Sequence, residues 1–420
     1  METKHRLKIL CLAPWPPSPP RMGVQARMHG LAAGLGREHD VTVVSLIEPG
    51  FDREEALRAA GEYCREVAFV PNNRGVAGWS RRVLQARSLV SARSFQRHQF
   101  DVPELQAELD RLLTRAAFDV VKLDLVYLSH FRLRQAPAGS PPPAVVIDTH
   151  DIAYDLLRQV ARSNVSPLRK LYAEVSWRKL AREERAAWRS ADGLCVCSDA
   201  DARRVRADVP GARLAVVPNA ADVEFFRPRP GDPAPDGRTV LFFGLLSTFP
   251  NSDGVRFFLS EIWPRLAAER PDARCKIVGG QPPEWLLAQA GPRIEVTGVV
   301  NDLRPHLAGA AAVVVPLRFG SGTRLKIVEA MAMGKPVVST SLGAEGLVAT
   351  PGRDLLIADD PAAFAAAVRQ VLDQPGLAAS LGRAGRALVE ERYSWVGAAR
   401  GMGRFFAEVL AERSRPVTPA

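Results

Sequence analysis

"AAVVVPLRFGSGTRLKIVEAMAMGKPVVST", residues 311–340, passes through four kinds of segment. Residues 311–317 form a continuous apolar, β-branched run, the composition of a strand buried on both faces. Residues 318–323 are small and polar and read as a loop. From about 322 the apolar residues recur at helical spacing, and "PVVST" (336–340) reads as another buried strand. Strand, loop, helix, strand is the repeating unit of a parallel sheet covered by helices.

The alternation extends outward in both directions. Towards the C-terminus lies "LLIAD" (355–359), and before 311 come "TVLFFG" (239–244), "CKIVGG" (275–280) and "IEVTG" (294–298). Further back, apolar runs at 7–13, 40–46, 67–70, 119–124, 144–150, 193–198 and 214–219 alternate with helical spacers. "RPRPGDPAPDG" (227–237) breaks the pattern with a Pro- and Gly-rich composition typical of linkers. The expected organisation is a first α/β domain over 1–226, a linker at 227–237, a second α/β domain over 238–393, and a helix over 394–414.

A length of 420 residues suits two domains. The net charge of +10 suits an anionic partner, but no recognised DNA-binding motif or aromatic-interleaved basic platform appears, so nucleic acid is not expected. Cys195 and Cys197 lie close together without a second Cys or His pair, so buried thiols are expected and zinc is not. The N-terminus has too short an apolar run for a signal peptide. No run approaches the ~18 apolar residues of a membrane span, so a cytoplasmic protein is expected. Between 67 and 100 there are six arginines and no acidic residue, with Trp79, Val83, Ala86 and Val90 at helical spacing. That makes 74–97 a candidate surface for peripheral contact with an anionic membrane; a solvated or interdomain face fits the same pattern.

Ligands of open α/β sheets bind beyond the carboxyl ends of the strands. In 318–329, Gly320 and Gly322 permit close backbone approach, and Lys326 and Glu329 share a helix face with the backbone at Gly322. A helix N-terminus favours phosphate, so these residues could grip a nucleotide diphosphate and its ribose. Equally, Ser321 or Thr323 could cap an ordinary helix. In the first half, His150 ends an apolar strand, Asp151 is a candidate cap for the next helix, and Gly23 opens the first helix after a Pro-rich turn. A lone histidine of this kind is often structural.

"GSGTRLKIVEAMAMGKPVVSTSLGAEGL" closely resembles the donor-binding segment of the GT-B glycosyltransferases of family 4. "PPRMGVQARMHGLAAGLGREHDVTVVSL", "DTHDIAYDLLRQVA", "VVPNAADVEFFRP" and "LFFGLLSTFPNSDGVRFF" resemble its other segments, in the same order. The resemblance implies two Rossmann-like doubly wound α/β domains facing across a cleft, with the terminal helix crossing back to the first. It implies a retaining, metal-independent transfer from a nucleotide-diphosphate sugar to a hydroxyl of a glycan, lipid-linked or small-molecule acceptor, without a cofactor. Bacterial envelope or exopolysaccharide synthesis is the family's usual work. By the same resemblance, Gly320, Ser321, Gly322, Thr323, Arg324, Lys326 and Glu329 hold the donor. Glu329 would meet the ribose hydroxyls, His150 would face the donor sugar, and Gly23 would border the acceptor.

Two departures stand out. The family's first motif glutamate should lie eight positions before Glu329, where this chain has Ser321. The loop 244–254 also lacks the basic pair that many members carry, leaving Arg324, Lys326 and the helix N-terminus to stabilise a departing diphosphate. Rival readings are a sugar-nucleotide epimerase of the same architecture and a non-catalytic sugar-nucleotide sensor. A Rossmann dehydrogenase is disfavoured, because "PWPPSPP" and not Gly-X-Gly-X-X-Gly follows the first strand.

Overall fold

Burial on both faces explains the composition of the strands, since each fully buried Val, Leu or Ile contributes about 1.5–3 kcal/mol. The structure, a computed structural model, describes residues 6–74, 78–163, 166–320 and 322–414. It divides into two compact units, one ending at Pro218 and resuming at Val396, the other spanning Asn219–Trp395.

The first unit carries β1 (Lys8–Ala13), β2 (Asp40–Ile47), β3 (Glu66–Pro71), β4 (Val120–Asp124), β5 (Ala144–Thr149), β6 (Gly193–Val196) and β7 (Leu214–Val216). All pair in parallel, in the order β3-β2-β1-β4-β5-β6-β7. The order reverses between β1 and β4, where a crevice opens beyond the strand ends. From Val396 onward the helix Trp395–Arg413 packs on this unit. A Cβ added at Gly193 would lie 2.9 Å from the Phe405 ring, and Arg400 pairs with Glu38 at 3.1 Å.

The second unit carries β8 (Thr239–Phe243), β9 (Arg274–Val278), β10 (Ile294–Val296), β11 (Ala312–Val315), β12 (Val337–Ser339) and β13 (Leu356–Ile357). These parallel strands run in the order β10-β9-β8-β11-β12-β13, reversing between β8 and β11. Phe242, Phe258 and Phe364 are fully buried at its centre. Every expected strand segment is present, and the fold is two Rossmann-like α/β units.

The Pro- and Gly-rich stretch 227–237, expected as the linker, belongs to the second unit. Asp236 accepts from the N–H and the hydroxyl of Thr239, each at 2.7 Å, and Arg229 pairs with Asp232 at 3.0 Å. Proline restricts φ and removes donors, so it marks irregular backbone and not freedom of motion. The chain passes between the units earlier, at Pro218/Asn219.

Candidate functional site

In the second unit, the loops leaving β8 and β11 meet at the topological switch point. Phe249 packs on Phe319 with ring centres 4.9 Å apart. Arg318 pairs with Asp253 at 2.8 Å and covers the Phe257 ring at 4.5 Å. Lys326, from the helix Leu325–Ala332, reaches between these loops. Its Nζ donates to Asn251 Oδ1 at 2.7 Å and lies 4.1 Å from the Phe242 ring centre. Asn251 is fixed in turn by donating to the Leu245 carbonyl at 2.9 Å. Gly244 makes the room, because a Cβ there would sit 3.1 Å from the Lys326 ammonium.

The helix starts later than the spacing predicts, at Leu325 and not near 322. Gly320 (φ 122°) and Gly322 (φ 73°) adopt positive φ values that a right-handed helix excludes. The backbone at Gly322 is therefore in the loop and not on the helix face. Arg324 occupies the N-cap position without a side-chain capping bond. Its Nη1 donates to the Gly322 carbonyl at 2.9 Å, drawing the guanidinium over Gly320. Thr323 is buried, with its carbonyl accepting from Asn219 Nδ2 at 2.7 Å. Ser321 lies outside the described residues.

Glu329 follows Lys326 by three positions on the same helix and is partly buried; its carbonyl accepts from the Met333 N–H in the helix, but its carboxylate accepts no hydrogen bond from the other described residues. Burial pushes Lys326 down to about 7, helped by the Arg324 charge and opposed by Glu329. Burial pushes Glu329 up to about 7 against the pull of Lys326. Two groups of opposite sign, one turn apart, thus titrate near neutrality.

In the first unit, His150 is not alone. Its Nε2 lies 3.0 Å from Asp124 Oδ1 and 3.3 Å from Asp148 Oδ2. Lys122 Nζ lies 2.5 Å from Asp124 and 3.4 Å from Asp148. Arg27 donates to both oxygens of Asp148, at 3.1 and 2.5 Å. All five side chains are buried. Burial opposes the charge on His150, but the two aspartates outweigh it and raise its pKa. Burial likewise opposes ionised Asp148, yet Arg27, Lys122 and His150 hold it well below the usual carboxylate range. Asp124, Asp148 and His150 bring one donor atom each within 4.8 Å of the others. The Lys122 ammonium already meets both of these carboxylates. Sequence reasoning found His150 but missed its partners, whose signal was charge inside otherwise apolar strands: Lys122 and Asp124 in "VVKLD" and Asp148 in "AVVIDT".

The capping role weighed for Asp151 falls to another residue. The helix Ala153–Arg162 has Ile152 at its N-cap, and the N–H groups of Ala153 and Tyr154 donate to Glu184 at 3.3 and 3.0 Å. Burial raises Glu184 to about 8, against those two donors. Gly23 is exposed at the start of the helix Gly23–Gly36. There Gln25 donates to the Pro16 carbonyl at 2.9 Å and accepts from the Arg21 N–H at 3.0 Å, holding the Pro-rich loop in place. Arg27 on this helix ties it to the His150 cluster. The structure therefore gathers Gly320, Gly322, Arg324, Lys326 and Glu329 in one unit, and Gly23 and His150 in the other.

Two family models match the chain: "Glycosyltransferase Family 4" over residues 22–225 and "Glycosyl transferases group 1" over residues 237–374. A D-inositol 3-phosphate glycosyltransferase of Acidothermus cellulolyticus is 30% identical over 54% of this chain and 56% of its own length. A phosphatidyl-myo-inositol mannosyltransferase of Mycolicibacterium smegmatis is 33% identical over 46% of this chain and 52% of its own. The matches thus span about half the length of these curated relatives. The sucrose-phosphate synthase of Thermosynechococcus elongatus superposes with a TM-score of 0.71 at 17% identity, over 96% of this chain and 100% of its own. With both halves matched by models of one family and both sheets in its topology, the chain belongs to the GT-B glycosyltransferases of family 4 type.

Proposed function

We propose that the chain transfers a glycosyl group from a nucleotide-diphosphate sugar to an acceptor hydroxyl, with retention and without a metal. The observation that carries this reading is the Lys326–Glu329 pair at the β8/β11 switch point, beside the glycine loop 320–322. In ligand-free form each charge is disfavoured by burial. A diphosphate would restore the Lys326 charge, and ribose hydroxyls would supply Glu329 with the donors it lacks. The role of the basic pair missing from 244–254 falls to Lys326, whose ammonium reaches Asn251 in the first turn of the helix Phe249–Phe257 that follows β8. Arg324 and the first-turn N–H groups of the helix add positive potential. Breaking the bond from the anomeric carbon to the phosphate oxygen leaves charge on the diphosphate, which this cluster would stabilise. The acceptor oxygen bonds to the anomeric carbon, and its proton passes to the departing phosphate. His150 is the first unit's proposed contribution to the reaction, and Gly23 its proposed acceptor-side loop.

Calorimetry with a panel of nucleoside diphosphates and sugar nucleotides tests the donor site. One base should bind saturably, and Glu329→Ala should weaken it about 10–100-fold, the loss of charge-assisted hydrogen bonds. A folded wild-type protein that binds none at millimolar concentration would sink the reading.

A second part of the proposal concerns where the enzyme works. Among the described residues no helix is long and apolar enough to cross a membrane. The helix Gly78–Val90 nevertheless turns its apolar side outward: Trp79 is 77% and Val90 89% exposed, with Ser88 its buried residue. The neighbouring helix Pro167–Ser190 exposes Leu168 and Leu171 beside Arg169 and Lys170. Exposed apolar residues among arginines fit an anionic lipid surface; residues 75–77 of the expected 74–97 segment lie outside the described residues. The protein should co-sediment with phosphatidylglycerol vesicles but not with phosphatidylcholine ones, and lose most of that binding in Trp79→Ser/Val90→Ser. Equal binding by the variant would remove this part of the proposal.

A further inference from the structure

The first unit holds a second polar site that neither the donor cluster nor the His150 network uses. A cavity of about 240 Å³ lies between the helix Phe95–Gln99, the segment Val126–His130 that follows β4, and the helix Pro167–Ser190. It stands at the carboxyl end of the sheet, since Val126 is two residues beyond Asp124, which bonds His150.

His130 lines this cavity with its side chain only 4% exposed. Both ring nitrogens are buried without a hydrogen-bond partner among the described residues, as is Arg97 Nε on the same lining. Asp101 Oδ1 is 3.6 Å from His130 Nε2, beyond hydrogen-bonding range. A buried polar group left unsatisfied costs about 1–3 kcal/mol, so three such atoms around one cavity point to a ligand that completes them.

The lining also defines the ligand's chemistry. Arg97 donates, and a neutral imidazole offers one donor and one acceptor. Glu183, whose carboxylate also accepts from the Ser94 N–H at 2.8 Å, adds a negative wall. With Asp101 close behind His130, an anion is disfavoured. The Tyr127 ring, stacked on Phe100 with centres 5.4 Å apart, gives one apolar side. Mixed donors and acceptors around a small cavity with an aromatic wall match groups that both donate and accept, which are hydroxyls. We propose that this cavity binds a neutral polyhydroxylated ligand, a monosaccharide unit, with His130 and Arg97 bonding its hydroxyls. Only the step of making that unit part of the acceptor rests on the glycosyl-transfer reading.

The test follows the imidazole signals of the full chain labelled at histidine, with His130 assigned through His130→Gln. Methyl α-glucoside, methyl α-mannoside, methyl β-galactoside and sodium phosphate are titrated separately to about 100 mM, enough to fill a site of millimolar Kd. At least one glycoside should shift the His130 signal saturably. Ala186→Trp, at an exposed helix position on the cavity wall, should abolish the shift, and Arg97→Gln should weaken it about tenfold, the loss of one hydrogen bond. The proposal falls if no glycoside moves His130, if the shift survives Ala186→Trp, or if phosphate alone produces it. Because the readout needs no donor, a glycoside response in a protein that binds no nucleotide would uphold this site while removing the transferase reading.

Discussion

Lys326→Met is expected to lower kcat/KM for glycosyl transfer by about 10²–10³-fold, the range for losing a group that stabilises charge in the transition state. The ligand-free protein should lose no stability at pH 7, and its Tm should rise by about 2 °C. The opposite signs follow from one fact. Burial holds Lys326 down to about 7 from an ordinary 10.5, so its ammonium is paid for by the rest of the fold until an anion arrives. Methionine occupies similar volume without a charge to desolvate. A residue kept for packing would show the reverse, a fall in Tm with little change in turnover. Thermal unfolding without ligand and steady-state kinetics, measured on the same preparation, separate the two.

The pH dependence follows from the same pair. Lys326 has a folded pKa below its unfolded one, so between about 7 and 10.5 the unfolded chain binds more protons and stability rises with pH. Glu329 has a folded pKa above its unfolded one, so between 4.5 and about 7 the native state binds more protons and stability falls with pH. The ligand-free second unit therefore meets the full cost of both groups near pH 7. Nucleotide diphosphate binding should be tightest there, because it needs a charged lysine and an ionised glutamate together. Above that optimum the Kd should rise towards tenfold per pH unit as one proton must be taken up. The alkaline arm should vanish in Lys326→Met and the acid arm in Glu329→Gln.

The strands were legible because continuous apolar runs have one good use in an α/β protein, and their loops mark the carboxyl ends. Lys326 and Glu329 were legible because a local spacing brings them together. What escaped needed sheet order or backbone handedness. Asn251 is 75 residues from Lys326, and only the adjacency of β8 and β11 brings them into contact. The helix start was misplaced because nothing in the spacing reveals that Gly320 and Gly322 take positive φ. Composition misled at 227–237, where prolines accompany a bonded loop and not a tether. In the first half the motif supplied a histidine, but the pairing of Arg27 with Asp148 spans 121 residues. No periodicity carries that information.

That pairing is where the largest stability effect is expected. Asp148→Asn should destabilise the first unit by about 3–5 kcal/mol, the cost of removing one partner from a buried ion pair. Asp148 is fully buried and meets Arg27, Lys122 and His150 together. Without its charge, Asp124 is the remaining carboxylate in the cluster facing two buried cations. The surface carboxylate Asp40, which meets Arg6 at 3.2 Å and Arg65 at 3.0 Å with both arginines largely exposed, is the control. Asp40→Asn should cost less than about 1 kcal/mol. Arg27→Met/Asp148→Leu should recover much of the loss, because replacing both members removes the desolvation cost with the pair. The pH response has a definite sign on each side. Asp148 has a depressed folded pKa, so its stabilisation is present above the ordinary carboxylate value and disappears as pH falls through the lower folded one. His150 has a raised folded pKa, so its share is complete below 6.5 and is lost as pH rises through that folded value. Urea unfolding of wild type, Asp148→Asn and His150→Gln across this range should show an alkaline decline that His150→Gln lacks. If Asp148→Asn costs no more than Asp40→Asn, the buried cluster does not hold the first unit, and the positioning of His150 must come from packing alone.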